Sequence, residues 1–501
     1  MTEELDEERK REWLWWRIAV RYGIAAIIFV FFLAVSLHFR YTPDETYIHL
    51  QYGRNLAQGE GYSFNAGMPS NGLPGPLWAL FIAVGYKFNL DPYIVAKTLD
   101  IIFASFSVFA ILAFAFVLIR DHVYALVAAW IYSFDAWFLR WSGSGVEASL
   151  GVLLTLLVLW YSYRKEYMAA SLVAGLLTLV RFEWGFLFVV VLLDLLLNGK
   201  NRAVIVKMLI GSVLVYAVVV GSWMVFSLTR GGGVLPNTLF ANAGEGSATS
   251  SFWDAALAGL KVVGATQAVM TIALVGGVFL TAKRIGWHAV REDGVPIVWI
   301  LLLPAILLLT GQNLGSKSLL PIIPLIVVYG VWGLKKLETT SLLPVQRGLL
   351  VLTIVAIFSL AQNQFVYHRW IYPHMEGVEL GVNECLKPIA YWLRSNAPAG
   401  STVLAPEIGV VGYISGRRVF DPEGTVDPSL RLAFRGITYD DAMVQRRYEQ
   451  VLRPDFVIDR AAFPERLSSS NMRPVMTRTF SGRGVSKPET MYYTLYEVVR
   501  P

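Results

Sequence analysis

One cysteine, Cys385, stands in 501 residues, so no disulfide can form within the chain, and cysteine usage leaves the redox compartment open. Charge is scarce too. Asp, Glu, Lys and Arg make up 16% of the chain, against roughly 25% in soluble globular proteins, which argues against an ordinary soluble protein. No basic patch with interleaved aromatics occurs, so the net charge of +6 reflects orientation in a membrane rather than nucleic-acid binding. Repeats and low-complexity tracts are missing, and with them the paired half-repeats of many transporters. No small-residue cleavage site follows the first apolar run, 18–38, which is too long for a signal h-region and is expected to be a retained span.

What is abundant is apolar sequence, 55% of the chain. A membrane-crossing helix needs about 20 such residues. About eleven stretches qualify: 18–38, 92–119, 123–139, 147–163, 167–181, 184–198, 203–229, 264–282, 294–311, 318–334 and 346–366. The stretch 76–86 is too short to cross and is expected to lie in the interface. With it kept there, one side collects most loop cations, among them Arg120, Arg164, Lys165, Lys283, Arg284, Lys335 and Lys336, along with those before the first span. The positive-inside rule then predicts a cytoplasmic N-terminus, with loop 40–91 and the tail outside, in a cell (plasma or inner) membrane. The expected architecture is an all-α polytopic membrane module, 1–371, followed by a small extracytoplasmic α/β soluble domain, 372–501. In that domain strands are expected near 402–405, 456–458 and 492–499, and a helix at 388–395.

Loop 40–91 carries the most informative residues. A helix is predicted over 43–58, with Thr42 as N-cap, Pro43 as its first residue and Glu45 closing a capping box. Asp44 and Glu45 then read either as servants of that helix start or as functional acids at the membrane edge, where ionisable groups are costly. Glu147, Arg181, Glu183, Asn237 and Lys317 fall on the same predicted side. Singly, each reads as an interfacial anchor or a local ion pair. Together they suit a substrate that is half lipid and half polar anion.

The order of Asp44-Glu45-Thr46-Tyr47-Ile48, Arg54-Asn55-Leu56, Gly59-Glu60-Gly61, Gly145-Val146-Glu147, Arg181-Phe182-Glu183, Leu235-Pro236-Asn237-Thr238, Leu319-Leu320-Pro321 and Pro406-Glu407-Ile408-Gly409 resembles the GT-C class of polyprenyl-phosphate-dependent glycosyltransferases. It is most similar to the mycobacterial-type terminal arabinofuranosyltransferases, and more distantly to protein O-mannosyltransferases and lipid A aminoarabinose transferases. Where that class often has two aspartates, this chain has Asp44-Glu45; where it has Pro after the arginine, Phe182; and where Arg-Tyr precedes the Leu-Leu-Pro run, Lys317-Ser318. The resemblance implies transfer of a sugar from a polyprenyl-phosphate donor to a glycan, lipid or protein acceptor. Asp44 would be the base, with Glu45 beside it as a second catalytic carboxylate. Arg181, Lys317 and Arg54 would meet the phosphate, and Glu45, Glu147, Glu183 and Asn237 would orient hydroxyls. No cofactor is called for by the sequence. A divalent metal on Asp44, Glu45 and Glu147 stays open, as do a transporter, with Asp100, Asp135 and Asp194 as isolated intramembrane acids, and a non-catalytic scaffold.

Overall fold

The computed structural model describes residues 19–37 apart from 21 and 25, 41–199, 201–230, 233, 235–237, 252–284, 286, 287, 290, 294–312, 314–339, 344–481 and 490–500. Thr238 and the basic segment before the first span lie outside them. The described chain is a helical membrane module joined to a small sheet-containing domain. Its first eleven helices are α1 (Tyr22–Leu37), α2 (Asp44–Gln58), α3 (Leu77–Lys87), α4 (Pro92–Ile119), α5 (His122–Ser133), α6 (Ala136–Trp141), α7 (Ala148–Tyr163), α8 (Tyr167–Val180), α9 (Leu187–Asn198), α10 (Arg202–Thr229) and α11 (Phe252–Arg284). Helix Ile297–Leu309 and the runs Ser316–Glu338 and Gln346–Asn396 follow.

An apolar helix occupies every place where a span is expected, and five are long enough to cross alone: α4, α10, α11, Ser316–Glu338 and Gln346–Asn396. At about 1.5 Å per residue, the 11 residues of α3 cover about half of the ~30 Å hydrocarbon core, in keeping with an interfacial helix. The expected span 123–139 is broken instead. α5 stops at Ser133 and Asp135 caps α6, accepting from the Phe138 amide at 2.8 Å. Ser316–Glu338 is the axis of the bundle, with 94% of its most apolar window buried, whereas the corresponding value for α10 is 11%. The close approach of α11 to that axis depends on glycine: a Cβ on Gly277 would stand 2.2 Å from the Gly333 Cα.

The three intramembrane acids are not isolated. Asp100 accepts from the Gly145 amide, Asp135 from Gln267 Nε2, and Asp194 from Lys165 Nζ, Ser162 and Tyr167. Each has a structural partner within the bundle.

The long helix Gln346–Asn396 runs through the expected domain border at 371/372, with π-turns at Tyr367–Ile371 and Val382–Leu386. Beyond it lies a five-stranded sheet of order β2-β1-β3-β5-β4, made of β1 (Thr402–Leu404), β2 (Arg418–Phe420), β3 (Phe456–Ala461), β4 (Met472–Ser481) and β5 (Thr490–Val498). β1 pairs in parallel with β2 and β3, and β5 is antiparallel to β3 and β4. The helix Ile408–Ser415 between β1 and β2 packs on α2, which seats the small domain on loop 40–91.

Candidate active site

Helix α2 begins at the membrane module and ends against the small domain, and its first turn points its acids at two different partners. Pro43 is the N-cap and offers no side-chain hydrogen bond, while the Thr42 hydroxyl lies 2.9 Å from the Tyr93 hydroxyl. The helix therefore starts one residue later than expected, with Pro43 rather than Thr42 at the N-cap, and each of the two carboxylates has a tertiary partner. Asp44 accepts from the backbone amides of Gly409, 2.8 Å from Oδ2, and Val410, 2.7 Å from Oδ1. Those amides open the helix Ile408–Ser415, where unpaired N–H groups and the helix dipole favour an anion. Only glycine fits at this contact, since a Cβ on Gly409 would lie 2.0 Å from the Asp44 carbonyl oxygen. Burial pushes the Asp44 carboxyl up to about 7; the two amides oppose the rise, and the neighbouring Glu407 and Glu45 charges add to it.

Glu45 turns the other way, onto Lys317 Nζ at 2.5 Å. Lys317 also reaches Glu147 Oε1 at 3.1 Å, and Arg181 Nη1 meets that oxygen at 3.3 Å. The second oxygen of Glu147 lies 2.9 Å from His49 Nε2. Arg181 holds Glu183 through Nε at 2.7 Å and Nη2 at 2.5 Å, the planar fork geometry suited to a carboxylate. Glu147 and His49 are fully buried, Arg181 and Lys317 nearly so, and the Glu45 side chain remains 37% exposed. A desolvated carboxylate is thus ringed by three basic side chains, with Glu45 as the outlet to solvent.

Rigid local structure sets this geometry. Glu147 is presented by the loop Gly143-Ser144-Gly145, whose glycines take φ of +78° and +89°, a region that is costly for residues with a Cβ. Lys97 Nζ donates to the Gly143 carbonyl at 2.8 Å, Thr46 Oγ1 to the Ser144 carbonyl at 2.9 Å and Trp78 Nε1 to the Gly145 carbonyl at 3.0 Å. Arg181 stands where α8 ends and the chain extends at φ −149°. Trp184 lies beneath it, 5.2 Å from ring centre to guanidinium, and its Nε1 donates to the Ser318 carbonyl at 3.1 Å. One tryptophan thereby ties the Arg181 turn to the Lys317 segment.

Of the residues singled out in the sequence, Glu45, Glu147, Arg181, Glu183 and Lys317 meet, with Asp44 adjoining on α2. Arg54 does not join them. Its Nη1 donates to the Tyr413 carbonyl at 3.0 Å and its guanidinium lies 5.0 Å from the Tyr413 ring centre. Asn237 is also elsewhere: its Nδ2 donates to the Thr425 carbonyl at 3.1 Å and its amide to the Asn71 carbonyl at 2.7 Å, a tie between two loops. His49 was missed, although it lies four residues after Glu45 on one helix face. Among the described residues no three His, Cys, Asp or Glu side chains converge to hold a metal; Asp44, Glu45 and Glu147 each point at other partners.

Residues 363–496 match a family described only as a domain of unknown function (DUF8728). No curated protein matches the chain in sequence. In fold, the chain resembles the crystal structure of ArnT from Cupriavidus metallidurans in the apo state, at TM-score 0.56 and 12% identity, covering 93% of this chain and 97% of that one. A mutant of the arabinofuranosyltransferase AftD from Mycobacteria matches at TM-score 0.52 and 15% identity, covering 96% of this chain and 42% of that one. Another AftD structure gives 0.48, with 16% identity and coverage of 96% and 40%. The chain therefore spans about two-fifths of AftD and nearly all of ArnT. It is a polytopic membrane protein with the GT-C fold.

Proposed function

We propose that the chain is a membrane glycosyltransferase that moves a sugar from a polyprenyl-phosphate donor to an acceptor hydroxyl on the extracytoplasmic face, inverting the anomeric centre. The observation that carries this reading is the placement of the Asp44 carboxylate on the same helix turn as the entrance to the Glu45–Lys317–Glu147–Arg181 cluster. The acceptor oxygen attacks the anomeric carbon, its proton passes to Asp44, and the bond from that carbon to the phosphate oxygen breaks. The phosphate leaves with the electron pair, so it needs cations more than a proton donor. Such preorganised charge is what lowers a barrier of this kind.

Lys317 has three donors, two of them used on Glu45 and Glu147, and Arg181 has five, three of them used on Glu183 and Glu147. Both keep N–H groups for the phosphate. Glu45, the most exposed carboxylate of the group, is the partner that the phosphate displaces from Lys317. Arg54 and Asn237 serve by holding the small domain against the membrane module. Asp100, Asp135 and Asp194 are all taken up by structural partners, and that weighs against transport.

The test is release of polyprenyl phosphate when the purified protein, in nanodiscs, is given lipid-linked sugars. No release from any donor tried, with or without envelope glycans as acceptor, would sink the proposal. Sidedness has its own check. Cys385 is buried and Glu60 is exposed at the end of the α2 turn. Glu60→Cys is expected to react with a membrane-impermeant maleimide in intact cells; labelling only after permeabilisation would place the acids on the cytosolic side and rule out an outer-face reaction.

A further inference from the structure

A cleft of 780 Å³ opens in the small domain, and none of the cluster residues lines it. Its size lies within the roughly 300–1,000 Å³ usual for small-ligand sites. Its lining pairs two rings, Phe434 and Tyr439, with charged side chains of both signs, Arg435, Arg447, Arg460 and Asp441. Arg435, Arg447 and Asp441 are exposed; Asp441 Oδ2 accepts from the Thr438 hydroxyl and Arg447 Nε donates to Gln445, which leaves the other guanidinium N–H groups and the second Asp441 oxygen for a ligand.

We infer that this cleft is the acceptor site and that the acceptor is a glycan; the inference rests on the transferase reading above and gives it a substrate class. A sugar hydroxyl both donates and accepts, so it pairs with carboxylates and guanidiniums alike, while the apolar face of a sugar ring packs on an aromatic one. A lipid would not meet so charged a lining without desolvating it. A peptide adding as a strand needs a free sheet edge; the β2 edge is closed at its centre, where the Val419 amide donates to Asn65 Oδ1 at 2.9 Å and Asn65 Nδ2 donates to the Val419 carbonyl at 3.0 Å, and β4, the other edge, contributes nothing to the cleft lining.

The walls explain how a chain bound here would be presented. Pro406, on one wall, directly precedes the Glu407–Val410 segment whose amides hold Asp44. Pro422, on another, belongs to the turn that ends at Thr425, whose carbonyl receives Asn237. Both walls therefore lie beside a tie to the membrane module, and the Pro406 wall adjoins the segment that holds the base.

The full chain in nanodiscs is applied to an array of bacterial-envelope oligosaccharides, beside the variant Arg435→Ala/Arg447→Ala. The expected result is retention of a subset of oligosaccharides by the natural sequence and at least about tenfold weaker retention by the variant, the loss of two charged hydrogen bonds allowing for more. Both side chains are exposed, so an unchanged melting temperature shows that the variant folds. Equal retention by the two proteins, or no retention by the natural sequence, overturns the cleft. Release of polyprenyl phosphate is scored separately. Donor cleavage without glycan binding overturns the cleft alone, and glycan binding through the cleft without donor cleavage overturns the transferase alone.

Discussion

Replacing Asp44 by Asn is expected to lower sugar transfer by about 10²–10⁴-fold, the usual contribution of a positioned general base. The substitution keeps the shape of the side chain and removes its ability to take a proton. One cost must be separated from this. The carboxylate accepts from two amides, and an Asn can accept from only one while turning its own NH₂ toward the other, so docking of the helix Ile408–Ser415 weakens by about 1–3 kcal/mol. Donor affinity and melting temperature measured on the same sample distinguish lost chemistry from lost docking. The pH profile gives an independent reading. Burial holds the Asp44 carboxyl up at about 7, and only the deprotonated form acts as a base. Transfer by the unmutated protein should therefore rise as pH passes through about 7 and level off above it. Turnover near the natural level in Asp44→Asn, or a flat profile across that interval, would remove Asp44 from the role of base.

Much of this arrangement is legible in the sequence, and the exceptions have physical reasons. The apolar runs mark their helices because each must satisfy its backbone within itself in lipid. The split at Asp135 was not visible, since an acid inside an apolar run reads as an isolated charge until its cap on α6 is seen. β1, β3 and β5 show as β-rich runs. β4 is hidden by Pro474, which is tolerated because β4 is an edge strand with a bulge beside that residue. Within α2, helical arithmetic separates true neighbours from false ones. At about 100° per residue, His49 falls close to Glu45 around the helix, whereas Arg54, nine residues on, falls on the opposite face. Grouping Arg54 with the acids followed motif order and overlooked this rotation. The partners of the first turn were hidden for another reason: nothing local to residues 42–45 reveals that an amide 365 residues away holds Asp44.

The centre of the cluster should be far less tolerant of change than its outlet. Glu147 is fully buried and is the acid that Lys317 and Arg181 share while it also contacts His49, so Glu147→Gln removes that shared partner from a desolvated site and leaves each cation a single carboxylate, Glu45 or Glu183. Breaking one member of a buried ion group costs about 3–5 kcal/mol, and transfer should fall with it, because Lys317 and Arg181 lose the acid that fixes their positions. Glu45, 37% exposed, faces water, and Glu45→Gln should cost no more than about 1 kcal/mol. If the loss in Glu147→Gln comes from uncompensated charge rather than from packing, removing the nearest cation should recover part of it. Glu147→Gln combined with Lys317→Met should be less destabilised than the sum of the single variants, with a coupling within the roughly 0.5–3 kcal/mol seen for contacting residues. Thermal melting in one detergent, with each variant prepared in parallel, reads all three. Additive losses, or a Glu147→Gln protein that melts with Glu45→Gln, would mean that Glu147 is not the charge holding the cations in place, and the proposed phosphate site would lose its anchor.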